Sequence, residues 1–112
     1  MGNKTATRAK RQLIKGLDNA ELLAQLVEIA SQLGISVRQE KGDFESGSCR
    51  VDDEELIILK KMDHDSEKAK IMMRELAKFD YDHINIDSKI RENMKRMREV
   101  MNANNVAVKE EI

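Results

Sequence analysis

Few residues in this 112-residue chain have the types and spacing that chemistry needs. Glu75 stands between two cations, Arg74 and Lys78, in the run Arg74-Glu75-Leu76-Ala77-Lys78. On a helix, a carboxylate in such a run could serve as a base, and the positions flanking it could hold a metal if they carried imidazoles. Cationic side chains cannot ligate zinc while protonated, so the run predicts no metal site. Asp63-His64-Asp65 and Asp80-Tyr81-Asp82-His83 each resemble half of a metal site. About 14 helical residues separate them, or roughly 20 Å at 1.5 Å per residue, too far to share one ion. Capping and solvated turns account for both clusters. Cys49 beside Arg50 could be a reactive thiol, because a neighbouring cation favours the thiolate. Asp43, Cys49 and Arg50 therefore form a second candidate group in a loop and hairpin. There is no P-loop and no G-x-G-x-x-G run, so Gly42 and Gly47 are assigned to turns. No cofactor is expected.

The elements that must position these residues follow from the hydrophobic pattern. Asp18 can cap a helix over Asn19–Leu33, with Glu21 completing a capping box. Leu23, Leu26, Val27, Ala30 and Leu33 fall on one stripe. Gly34 ends this helix in a left-handed turn, and Ile35 folds back onto it. Ile35 and Val37 alternate with polar neighbours as a strand. A loop over 41–47 leads to a second strand in which Cys49 and Val51 supply the apolar positions. Asp52-Asp53-Glu54 turns the chain. Leu56-Ile57-Ile58-Leu59 is a continuous apolar run and reads as a central strand covered on both faces. Asp65 or Ser66 caps a second helix buried through Ala69, Met72, Met73, Leu76 and Ala77. Ile84 and Ile86 suggest a short edge strand. A third helix runs from about Ser88 to Asn102 with a seam of Ile90, Met94, Met97 and Met101. The expected fold is α+β: a small antiparallel sheet of three to four strands with about three helices, in the order α-β-β-β-α-(β)-α. The expected organisation is a basic, flexible arm over 1–17, one domain over 18–102 and a loose tail over 103–112.

Composition narrows the function classes. Charged residues make up 37% of the chain, so much of each helix must face solvent. There is no proline or tryptophan, and Phe44, Phe79 and Tyr81 are the only aromatics, which leaves an aliphatic core filled by seven methionines. The net charge of −1 hides an asymmetry: residues 1–17 carry five basic side chains and no acid, whereas the rest is acidic on balance. Such an arm suits a polyanion or the acidic body of the protein itself. Arg8, Lys10, Arg11 and Lys15, together with Lys95 and Arg98 of the third helix, are the candidate nucleic-acid contacts. With three aromatics, a base-stacking platform is not expected. No apolar run is long enough for a membrane span, and the basic N-terminus lacks a signal-peptide core. One cysteine excludes an internal disulfide and fits a reducing, cytoplasmic compartment. A core of this size suits a monomer or a homodimer.

Two resemblances go beyond these patterns. An apolar hairpin strand, a short polar loop and a helix carrying Glu75 resemble, over roughly residues 47–79, a degenerate zincin-type metallopeptidase core. Glu75 matches the catalytic glutamate, while Arg74 and Lys78 replace both histidines. That resemblance implies a peptidase layout without the zinc chemistry, with Arg74, Glu75 and Lys78 lining a surface groove. Separately, Gly42-Asp43-Phe44, then Ser46-Gly47-Ser48-Cys49-Arg50-Val51, an apolar strand and a helix ending at Phe79-Asp80 resemble a small bacterial family of uncharacterised proteins. This second likeness spans about Leu23 to Glu92; it implies the same architecture and carries no activity. The expected function is a non-catalytic protein-interaction or regulatory module. The alternatives are a nucleic-acid accessory protein and a degenerate or atypical hydrolase.

Overall fold

The computed structural model describes the backbone of residues 11–110 and the side chains of residues 11–104. Helix α1 spans Asn19–Gln32, and Asp18 caps it by accepting from the Ala20 N–H at 3.2 Å. Its stop is a Schellman turn: Gly34 has φ +77°, Ile35 N–H donates to the Ala30 carbonyl and Gly34 N–H to that of Ser31. Leu22 and Ile29 join Leu23, Leu26 and Ala30 on the buried side, so the apolar face is wider than the stripe read from the sequence.

Strands β1 (Ser36–Glu40), β2 (Gly47–Val51) and β3 (Glu54–Lys60) form one sheet in the order β1-β3-β2. β2 and β3 are an antiparallel hairpin, but β1 runs parallel to β3, with Val37 opposite Ile57. The sheet is therefore mixed, not antiparallel. The physical reason lies in composition. β3 is the only strand apolar enough for the centre, so the hairpin closes with β3 between β2 and the charged strand β1. Helices cover one face only, where Ile57 and Leu59 are buried. Among the described residues no helix supplies the cover expected on the second face, where Leu56 is buried, Ile58 half-buried and Cys49 exposed.

The hairpin turn is type I′, with φ +52° at Asp52 and +67° at Asp53, conformations that L-residues adopt at a cost. Asp53→Gly removes that cost at the position where type I′ turns favour glycine. It is expected to raise stability by about 0.5–1 kcal/mol, read as a higher urea midpoint at unchanged slope.

Helix α2 (Asp65–Leu76) lies under the sheet and packs on α1, β3 and the following helix. His64, not Asp65 or Ser66, is at its cap position. Lys68, Ala69, Ile71, Met72, Met73, Glu75 and Leu76 are its buried residues. Residues 77–87 form turns instead of the expected edge strand. Tyr81, Ile84 and Ile86 are nonetheless buried, and the Ile84 carbonyl accepts from Arg91 instead of from a neighbouring strand.

Helix α3 runs from Ser88 to Glu110. It continues well past Asn102, through much of the segment expected to be a loose tail; no glycine or proline in 103–110 stops it. Asp87 caps its start by accepting from Lys89 N–H. Ile90 and Met94 are buried, and Met97 and Met101 pack against the core edge. Residues 11–17, grouped with the basic arm on composition, join the fold. Ile14 is 5% exposed, Leu13 and Leu17 pack on the core, and Asn19 ties the segment down through the Leu13 N–H and the Arg11 carbonyl. The candidates Arg8 and Lys10 lie outside the described residues.

Candidate functional site

Glu75 is 3% exposed near the end of α2, beneath β2. Its Oε1 accepts from the Ser48 hydroxyl at 2.7 Å and from Lys78 Nζ at 2.9 Å, and its Oε2 from Arg74 Nε at 3.1 Å. Both oxygens are engaged, and the two cations are half exposed. Burial pushes the Glu75 carboxyl upward, but the hydrogen bonds from Lys78, Ser48 and Arg74 and the Lys78 charge outweigh it. The group is held below its ordinary value. A base of general use would be poised closer to neutrality and would have a free lone pair. The geometry is that of an anchored carboxylate joining α2 to β2. Glu75 is almost wholly shut off from solvent, and Lys78 lies beyond the helix, two residues past Leu76.

Ser48 reaches Glu75 because strand alternation puts it on the helix-covered face, opposite Ile57. Cys49 therefore lies on the other face and is exposed. This reverses the facing expected for β2: the edge strand turns its polar residues toward the charged end of α2. Arg50, on the Ser48 side, pairs with Glu55 at 3.3 Å. Asp43 is exposed in the 41–46 loop. The sheet thus separates Cys49 from Arg50 and Glu75. A second polar tie supports the other side: buried Lys68 donates to Gln39 Oε1 at 2.7 Å.

The histidines stay apart. His64 precedes α2 and His83 is in the turn after it, both exposed. Among the described residues no group of three or more His, Cys, Asp or Glu could hold a metal ion, and no helix is long and apolar enough to cross a membrane.

The basic residues divide into two sets. Arg98 turns inward: its Nε donates to the Ala77 carbonyl at 2.9 Å, its terminal nitrogen to the Phe79 carbonyl, and its guanidinium lies 4.5 Å from the Tyr81 ring centre. Arg91 sits over the same ring at 5.6 Å. Lys15, by contrast, shares an open groove with Lys89 and Arg96. Lys95 is exposed elsewhere on α3, and Arg11 precedes the groove. Lys89 and Arg96 are among the basic residues that the sequence shows on this helix, and it is they, not Lys95 or Arg98, that stand with Lys15; their spacing of seven residues is two helical turns.

A further concavity, of about 490 Å³, runs beside the outer edge of β1 and is lined by Val27, Ser31, Gly34, Ile35, Ser36 and Val37. Comparison with protein-family models, with curated proteins and with solved structures returns no match to the chain.

Proposed function

We propose that the protein is a non-catalytic interaction module that binds an extended segment of a partner protein along β1. One observation carries this reading. Among the described residues β1 is hydrogen-bonded to β3 on one side only, and beside its other edge lies a groove lined by Val27, Ile35 and Val37. Strand addition would use the free backbone groups for affinity and alternate side chains for selection. Exposed Arg38 and Glu40 on β1 call for an acidic residue and a basic residue at alternate positions of the incoming strand. An apolar side chain opposite Val37 would enter the groove.

The lack of catalysis in this reading follows from the anchored state of Glu75 and from its separation from Cys49. The peptidase-like layout then survives only as a scaffold. A single cysteine, exposed and unpaired, fits a reducing compartment such as the cytoplasm.

The test uses Val27→Lys, which puts a cation in the groove from a half-buried helix position. Tagged wild-type and variant protein are compared in nuclease-treated native lysate. The expected result is a partner lost on substitution, whose binding slows hydrogen exchange over Ser36–Glu40. A partner retained by the variant, or exchange slowed only elsewhere, rejects the β1 edge. A second copy of the chain protecting the same strand would likewise reject a foreign partner.

A further inference from the structure

A second open groove lies between the 14–17 turn and the first turns of α3. It measures about 600 Å³ and has Ile14, Lys15 and Gly16 on one wall and Lys89, Asn93 and Arg96 on the other. We infer that this groove holds the phosphate backbone of double-stranded nucleic acid, a function separate from the β1 edge.

Three observations converge. First, Lys15, Lys89 and Arg96 come from two segments distant in sequence, and none forms an ion pair among the described residues. Cations are kept unneutralised there although the chain as a whole is slightly acidic. Second, Lys15 follows the most basic stretch of the sequence. Residues 4–11 bring Lys4, Arg8, Lys10 and Arg11, and the chain reaches Lys15 four residues later. Third, Lys89 and Arg96 are separated by about 10 Å along the helix, far enough to meet different phosphates of one strand.

The N-terminus of α3 is not the binding element, because the Asp87 carboxylate already caps it. The side chains supply the charge. Asn93 Nδ2 donates to the Lys89 carbonyl, and Asn93 Oδ1 stays available. No aromatic residue lines the groove, so nothing there can stack on an unpaired base. That favours a duplex, contacted through its backbone without reading sequence.

Glu92 is the opposing feature. It lines the same groove, one turn from both Lys89 and Arg96, without an ion pair to either. A phosphate bound there meets its repulsion, so removing that charge must strengthen binding.

The probe is a 20-base-pair DNA duplex, titrated by fluorescence anisotropy at several salt concentrations with the full chain. Three phosphate contacts predict an affinity loss of about 40-fold or more between 50 and 200 mM salt. The triple variant Lys15→Gln, Lys89→Gln, Arg96→Gln should flatten the salt slope by about 2–3. Glu92→Gln should tighten binding several-fold. All four positions are exposed, so circular dichroism should show an intact fold in each variant. A slope unchanged in the triple variant, an affinity unchanged by Glu92→Gln, or no binding at 50 mM salt overturns the inference. Saturation by millimolar inorganic phosphate with no gain from the duplex overturns it too, by assigning the groove to free phosphate.

Discussion

Replacing Glu75 with glutamine is expected to lower stability at pH 7 by about 1–3 kcal/mol, because a buried, fully bonded carboxylate is exchanged for a neutral amide that answers two cations poorly. The range stays below that of a wholly buried ion pair because Arg74 and Lys78 are half exposed and can turn to water. The pH dependence identifies the cause. Glu75 titrates lower in the folded protein than in the unfolded chain. Its contribution is therefore complete above the unfolded glutamate value of about 4.3 and is lost as pH falls through the lower folded value. The gap between wild type and Glu75→Gln should be widest at neutral pH and should narrow below about pH 4. Urea unfolding at pH 7 and pH 3.5 measures both. Ser48→Ala should cost about 1 kcal/mol by removing one neutral donor, with a weaker pH trend. A gap equally large at both pH values would mean that shape, not charge, makes Glu75 necessary.

This prediction also separates two meanings of the Arg74–Lys78 run. As a peptidase layout with altered ligands, it would keep a carboxylate facing a cleft. The structure turns that carboxylate toward Ser48 and makes it a joint between helix and hairpin. Sequence alone could identify the charged residues but not their direction. The direction depends on which face β2 presents, and a five-residue strand with Ser, Cys, Arg and Val reads equally well either way up. Cys49 and Val51 are the more apolar pair, so local pattern put them inside. The pairing with β3 puts Ser48 inside, because Ile57 and Leu59 face the helices and Ser48 is opposite Ile57.

Other features were legible because their cause is local. The Schellman stop at Gly34 needs only a left-handed residue followed by an apolar one. The central place of β3 follows from its unbroken apolar run. The direction of β1 was not legible, since parallel and antiparallel partners of a central strand have the same alternation. Ile84 and Ile86 misled for a related reason. Their period of two records burial on one side, which a turn segment held by arginines satisfies as well as a strand does. The groove at Lys15 was half legible: the basic arm and the basic helix were evident, but only the buried Ile14 shows that the arm's end is fixed against Lys89 and Arg96.

Arg98 gives the largest effect expected from a single surface-reaching cation. It closes the end of α2 by donating to the Ala77 and Phe79 carbonyls, and it covers the face of Tyr81, which is 3% exposed. Charge-assisted bonds to carbonyls contribute about 1.5–3 kcal/mol each at most, and a partly desolvated cation–π contact about 1 kcal/mol. Because water can reach parts of this half-buried side chain, Arg98→Ala should cost about 2–3 kcal/mol in total. Arg98→Lys should recover less than half of that. A single ammonium cannot hold two carbonyls in the plane of a fork while lying flat on a ring. Tyr81 is the only tyrosine and the chain has no tryptophan, so its fluorescence reports this site without interference. Quenching of Tyr81 by acrylamide should rise in both variants before global unfolding begins. If Arg98→Ala stays within about 0.5 kcal/mol of wild type, the typical range for an unremarkable surface change, the tie between α3 and the end of α2 is not what orders residues 77–87. The same variant tests the division of the basic residues. Arg98 was a candidate phosphate contact, yet its guanidinium is committed inward. Arg98→Ala should lower stability while leaving the salt dependence of duplex binding unchanged, whereas the Lys15, Lys89 and Arg96 variant should do the opposite.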